Sequence, residues 1–185
     1  MSHILFLNGP TSAGKTSLAK QFQLVSKNIY IHVSADEFLL KGLPESIMEV
    51  HPDQTELIST LEAIKESMYL YINALYTNGV HVILDIVVFD NDLAELAKRL
   101  PIYSTYLVNV TCETEELVKR ERARGDRRIG MAEFQEQFFR NSIFDFSLDT
   151  TRKSPKESAL ELQSYIEAEQ NPFALVRISS NISSK

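Results

Sequence analysis

The sequence predicts a single α/β domain built on a five-stranded parallel sheet with helices on both faces. Three observations point there. Short continuous apolar runs, such as Ile4-Leu5-Phe6-Leu7 and Val82-Ile83-Leu84, are the pattern of strands buried on both faces. They alternate with longer segments whose apolar residues repeat at helical spacing, and strands alternating with helices imply a parallel sheet. The length, 185 residues, suits one domain, since about 100–200 residues per domain is usual. We expect the domain to span residues 1–178, with the Ser/Asn-rich end from Ser179 to Lys185 frayed.

Ile4 to Leu7 is the first strand, and Leu18, Phe22 and Val25 follow at i, i+4 and i+7 on one helical face. Ile29 to Val33 reads as the second strand. Ser34, Ala35, Asp36 and Glu37 then form a capping-box pattern that opens a helix. Residues 41–55, with Gly42, Pro44, His51 and Pro52, read as an irregular connection. Leu57, Leu61, Ile64, Met68, Ile72 and Leu75 mark the stripe of a long helix, which Asn78-Gly79 stops. A third strand ends near Asp85. Leu93, Leu96, Ala97 and Leu100 give a short helix closed by Pro101, with Asp90-Asn91 as its cap. Tyr106 to Val110 is the fourth strand, followed by a helix from about Cys112 to Arg124, and Phe146 to Leu148 is the fifth strand. Ser154-Pro155-Lys156-Glu157 places Ser at the N-cap, Pro at N1 and Glu at N3 of the last expected helix.

In such sheets ligands bind beyond the carboxyl ends of the strands, where Asn8, Asp36 and Asp85 all fall. Gly9, Pro10, Thr11, Ser12, Ala13, Gly14, Lys15 and Thr16 occupy that position after the first strand and match Gly-x4-Gly-Lys-Thr, the Walker A phosphate loop. Its glycines let successive backbone N–H groups converge on phosphates, and the following helix adds the positive end of its dipole. Lys15 then reaches the β- and γ-phosphate oxygens, and the Thr16 hydroxyl ligates Mg²⁺. The chain is therefore expected to take the P-loop NTPase fold and to use ATP and Mg²⁺.

Asp85 closes an apolar strand in the Walker B manner and is the expected second metal ligand; Asp90 is the alternative. Asp36, just past the second strand, can serve as base for a substrate hydroxyl, or can simply favour a helix N-terminus. Residues 119–128 gather Lys119, Arg120, Arg122, Arg124, Arg127 and Arg128 around Gly125. In a chain with a phosphate loop that cluster reads as a lid meeting transferred charge, against the plainer reading of a solvated basic helix end. His32 and His81 alternate with apolar residues inside strands and read as structural, whereas His51 is placed to face a substrate.

Composition narrows the partners. A net charge of −6 argues against a nucleic-acid binder, and no run approaches the ~20 apolar residues that span a bilayer. The N-terminus has no basic region of a signal peptide, and the lone Cys112 suits a reducing cytoplasm.

Several blocks recur together in order from residue 4 to about 162. They are Leu7-Asn8-Gly9, Ser12-Ala13-Gly14-Lys15, Asp36, Ile83-Leu84-Asp85, Arg120-Glu121, Ala123-Arg124-Gly125-Asp126-Arg127, Gly130-Met131-Ala132 and Asp149-Thr150-Thr151. In these the chain resembles the chloramphenicol phosphotransferase family of P-loop kinases. The resemblance implies a nucleoside-kinase-like sheet with an arginine lid over about residues 120–131, and phosphoryl transfer from ATP to a small-molecule hydroxyl. It implies Asp36 as the base, Arg120 near the adenine or phosphates, Arg124 and Arg127 as phosphate clamps, and Thr151 bordering the adenine. The chain departs from the family at Ile86, where a second acid is common, and residues 38–60 and 86–103 carry no match. The acceptor is thus either chloramphenicol or another metabolite, as in shikimate-kinase-like or zeta-toxin-like proteins. A nucleotide-binding switch without phosphotransfer is the rival from another class, although the chain has no Asn-Lys-x-Asp guanine motif.

Overall fold

The structure is a computed structural model that describes residues 2–41, 47, 54–124, 130–139, 143–169 and 171–182. Its five strands are β1 (Ile4–Asn8), β2 (Tyr30–Ser34), β3 (His81–Asp85), β4 (Thr105–Thr111) and β5 (Phe146–Asp149). All neighbours pair in parallel, in the order β2-β3-β1-β4-β5. The chain leaves β1 for the far side of β3, then returns across β1 to reach β4, so a crevice opens where β1 ends. Leu7 and Ser34 both pair with Asp85, and Asn8 pairs with Asn109. Strand ends bearing the candidate residues therefore finish level.

The helices are α1 (Lys15–Val25), α2 (Ala35–Leu40), α3 (Gln54–Thr77), α4 (Asp90–Ala97), α5 (Thr114–Arg124), α6 (Met131–Glu136), α7 (Pro155–Ala168) and α8 (Ala174–Ile182). The pleat of β1 sends Ile4 and Phe6 into one core with Met68 and Ile72 of α3, Leu93 and Leu96 of α4, and Leu175 of α8. Leu5 and Leu7 point the other way, towards Leu18 and Phe22 of α1, Leu117 of α5 and Leu162 of α7. The two cores explain why β1 is apolar without alternation: all five of its residues are buried.

The expected capping box at Ser154 forms, with Glu157 N–H donating to Ser154 Oγ at 3.2 Å and Ser154 N–H to Glu157 Oε2 at 2.8 Å. The one at Ser34 does not. Ser34 is also the last, buried residue of β2 and makes no side-chain cap bond, while Glu37 pairs with Lys41 at 3.1 Å. Asp90 likewise lies inside the first turn of α4, with Phe89 at the cap position.

Of the end expected to fray, Ser179 to Ile182 fall in helix α8 and residues 183–185 lie outside the described residues. Helix α8 runs through Ile182, because Ala174 and Leu175 are buried and Ile178 packs beside them. Asp145 fixes its start. One carboxylate oxygen accepts Leu107 N–H at 2.7 Å, and the other accepts Phe173 and Ala174 N–H at 2.6 and 2.9 Å. Asp145→Ala would orphan three backbone donors, and we expect it to lower the unfolding free energy by about 2–4 kcal/mol in urea titrations.

At the opposite end of the sheet, His3 bonds the Tyr30 hydroxyl through Nε2, and its backbone N–H donates to His81 Nδ1 at 3.3 Å. Burial, then the neighbouring His81, pushes the His3 imidazole down to about 4 from 6.5. The unfolded chain thus binds more protons between those values, so this contribution to stability is complete above pH 6.5 and is lost as pH falls towards 4. Thermal midpoints should fall across that window, and His3→Gln should flatten the decline.

Candidate active site at the carboxyl edge of the sheet

The loop after β1 is shaped by close contacts on three sides. Asn8 is fully buried and makes a two-way pair with Val88, donating to its carbonyl at 2.8 Å and accepting its N–H at 2.9 Å. That pair fastens the segment after β3 to the end of β1. At Gly9, a Cβ would stand 2.2 Å from the Val110 carbonyl oxygen, and φ is +142°, so glycine is required by both space and conformation. Ser12 and Gly14 also take positive φ, 62° and 94°. Gly14 caps α1, whose first N–H groups have no partner within the helix, and Lys15, Thr16, Ser17 and Leu18 of its first turn line the cleft. The Lys15 ammonium curls back and donates to the Gly9 and Pro10 carbonyls, each at 2.9 Å.

Thr16 joins this loop to β3, its hydroxyl donating to Asp85 Oδ2 at 2.6 Å. Burial alone would raise the Asp85 carboxyl, but His32, the Lys15 charge and the Thr16 hydroxyl outweigh it and hold the group below the ordinary carboxylate range. His32 Nε2 lies 3.5 Å from the same oxygen. Alternation within β2 gave His32 the look of a purely structural residue; only the β2–β3 register brings it beside Asp85. Thr16 and Asp85 together present hard oxygen donors, the set that suits Mg²⁺.

A cleft of about 970 Å³ opens over this edge. Thr11, Ser12, Gly14, Lys15 and Thr16 form its floor, with Asp36, Lys65, Asp85, Ile86 and Val87 on one side and Arg120, Arg124, Thr150 and Lys153 on another. Asp36 is exposed there, in the first turn of α2. Of the remaining loop residues, Gly9 and Pro10 lie behind the lining as acceptors for Lys15, and Ala13 is buried.

Arg120 is held firmly in the wall. Its Nε donates to Glu116 at 2.9 Å, while Nη1 and Nη2 reach the Thr150 hydroxyl and carbonyl at 3.0 and 2.9 Å. The Thr150 hydroxyl in turn donates to the Ala13 carbonyl at 2.8 Å, so one threonine links the phosphate loop, β5 and the guanidinium. Thr150 lines the cleft, whereas the Thr151 hydroxyl bonds Asp149 at 2.5 Å and accepts Glu113 N–H at 2.8 Å. Arg124 lines the cleft one turn beyond Arg120; Arg127 and His51 lie outside the described residues. Cys112 is buried, and burial raises its thiol pKa, as expected of an inert cysteine.

Two functional contacts escaped the sequence reading. Glu121 is fully buried and accepts the N–H groups of Gly130 and Ala132 at 2.7 and 2.9 Å, joining α5 to α6 on either side of residues 125–129. Gln135 of α6 accepts Thr11 N–H through Oε1 at 2.8 Å, gripping the phosphate loop itself. The spacing of Arg120-Glu121 from Gly130-Met131-Ala132 was the available signal for the first. No signal marked the second.

Comparison with known proteins agrees with this geometry. Residues 2–167 match a family model described as chloramphenicol phosphotransferase-like protein. A protein of Mycobacterium tuberculosis strain H37Rv, provisionally named an O-phosphotransferase, is 30% identical over 195 residues, covering 95% of this chain and 87% of its own. Among solved structures, a sugar kinase from Janibacter sp. superposes with a TM-score of 0.64 at 13% identity, covering 90% of this chain and 95% of that one. Shikimate kinase from Aquifex aeolicus gives 0.59 at 14% identity, covering 89% and 96%. These structural likenesses establish the P-loop kinase fold.

Since Glu121 supports the α6 N-terminus, Glu121→Ala should cost about 1–3 kcal/mol of stability. Amide exchange across residues 130–136 should accelerate more than exchange in the sheet, as read by mass spectrometry.

Proposed function

The chain belongs to the chloramphenicol phosphotransferase-like family, and from that premise we propose that it transfers the γ-phosphoryl group of ATP to a hydroxyl of a small molecule. The observation that carries this reading is the convergence of a phosphate loop, a Thr16–Asp85 oxygen pair, an exposed Asp36 and a pinned Arg120 on one cleft.

Each part fits its role. The positive φ at Gly9, Ser12 and Gly14 curls the loop into a phosphate cradle, and Lys15 is already drawn into it. Thr16 and Asp85 would hold Mg²⁺, and Asp85 is kept ionised for that purpose by its neighbours. When bound, ATP would supply the phosphoryl group, and Mg²⁺ would offset part of its charge. Asp36 accepts the proton of the acceptor hydroxyl and orients its oxygen. Lys15, Arg120 and Arg124 meet the negative charge that spreads over the transferring group, with Arg127 assigned the same task by its place in the arginine cluster. Thr150, with the Thr151 carbonyl at 3.5 Å, fixes Arg120 for this work, and Thr151 is assigned to the border of the adenine.

Ile86, Val87 and Met131 give the cleft apolar walls, which suits an acceptor with apolar parts. Chloramphenicol is the acceptor suggested by the family's name, and the sugar and shikimate kinases of the same fold widen the candidates to other hydroxyl metabolites. A reducing cytoplasm suits the buried free thiol of Cys112.

The test is ATP turnover with Mg²⁺ over a panel of hydroxyl compounds that includes chloramphenicol. Asp36→Asn should lower kcat by about 10²–10⁴-fold while leaving ATP binding intact by calorimetry. ATP binding without product from any compound would favour a nucleotide-dependent switch, and absence of ATP binding would refute the reading.

A further inference from the structure

Resting on the kinase reading above, we propose that the acceptor carries an anionic group, a carboxylate or a phosphomonoester, in addition to its hydroxyl, and that Lys65 of α3 binds it. The cleft has two ends. Arg120, Thr150 and Lys153 stand at one, next to Gly14 and the start of α7. Asp36, Lys65, Ile86 and Val87 stand at the other. Helix α2 packs on α3, with Phe38 and Tyr71 stacked at 6.0 Å between ring centres, so Lys65 shares the space that Asp36 faces. This is the acceptor end, because Asp36 is the residue that receives the hydroxyl proton.

The other cations of the cleft are committed. Lys15 donates to the loop carbonyls, Arg120 to Glu116 and Thr150, and Lys153 to Glu161 at 2.5 Å. Arg124 belongs with Arg120 on the same helix, at the nucleotide end. The carboxylate beside Lys65 in sequence, Glu66, is taken by Arg99 Nε at 2.9 and 3.0 Å. Among the described residues, no ion pair or hydrogen bond joins Lys65 to a carboxylate.

A compact positive charge thus lines an acceptor pocket that already holds the negative Asp36 and borders Asp85. A neutral acceptor would gain nothing from it. An anionic acceptor would be repelled by those carboxylates in its absence, and a lysine ammonium matches carboxylate and phosphate oxygens equally well.

The experiment compares matched hydroxyl compounds that are neutral, carboxylate-bearing or phosphate-bearing, with Mg²⁺ and ATP, on the wild type and Lys65 variants. The same proteins are also given a metabolite extract with ATP, so that the natural acceptor selects itself. We expect anionic compounds to be preferred, and the favoured arm identifies carboxylate or phosphate. Lys65→Met should raise the KM of the anionic acceptor about 10–100-fold with kcat changed by less than about three-fold. Lys65→Arg should recover most of that loss, and Lys65→Glu should deepen it. The extract compound consumed in this reaction, recovered from extract not given ATP, should itself be retained on an anion exchanger. A neutral recovered compound, or an acceptor KM that Lys65→Met leaves unmoved, overturns the proposal while the kinase reading stands. Bound ATP with no phosphorylated product from panel or extract overturns the kinase reading, and this proposal with it.

Discussion

Gly9 leaves β1 where the neighbouring strand β4 allows no side chain at all, since a Cβ there would meet the Val110 carbonyl at 2.2 Å. Much of the cleft follows from that close approach. Because the chain can turn so tightly at the end of a buried central strand, the phosphate loop sits over the crevice rather than beside it. Lys15 can then fold back onto the Gly9 and Pro10 carbonyls, and Thr16 falls within 2.6 Å of Asp85 on the adjacent strand. Any larger residue would push the loop off β4 and lose both contacts together, because the interior is close-packed and cannot yield locally.

Four carboxylates show how environment divides labour among chemically similar groups. Asp85 is buried but surrounded by His32, Lys15 and Thr16, so its carboxyl is held below the ordinary range despite burial. Asp36 is exposed at a helix start and lines the cleft. Glu121 and Asp145 are buried too, yet each spends its oxygens on backbone N–H groups, one at the start of α6 and the other at the start of α8. Buried carboxylates are costly unless so satisfied, and in these two the satisfaction is the function: each fixes the position of a helix end. The Glu121 contact matters to the site because α6 also sends Gln135 to the Thr11 N–H.

The same logic links the two sides of the cleft. Thr150 takes both Arg120 nitrogens and gives its hydroxyl hydrogen to Ala13, so the arginine is oriented by the very loop whose bound charge it would face. Orientation of this kind is set in advance of binding and costs nothing at the moment of reaction.

Local chemistry was enough to read the strand–helix alternation, the Walker A loop, Asp85 at a strand end and the Ser154 capping box, because each depends on residues close together in the chain. Where two local demands competed for one residue the reading failed: Ser34 ends a buried strand as well as starting a helix, and makes no cap bond. The Thr150 contacts with the phosphate loop and Arg120 came from packing between distant segments. The companionship of His32 with Asp85 came from strand register, and the Glu121 and Gln135 contacts from packing across many intervening residues. By itself the sequence determined which chemistry the chain carries, since a phosphate loop is a short-range object. Only the tertiary structure decided which polar groups face the cleft and which are consumed in holding it, because hydrogen bonds between distant segments exist only once the sheet has aligned them.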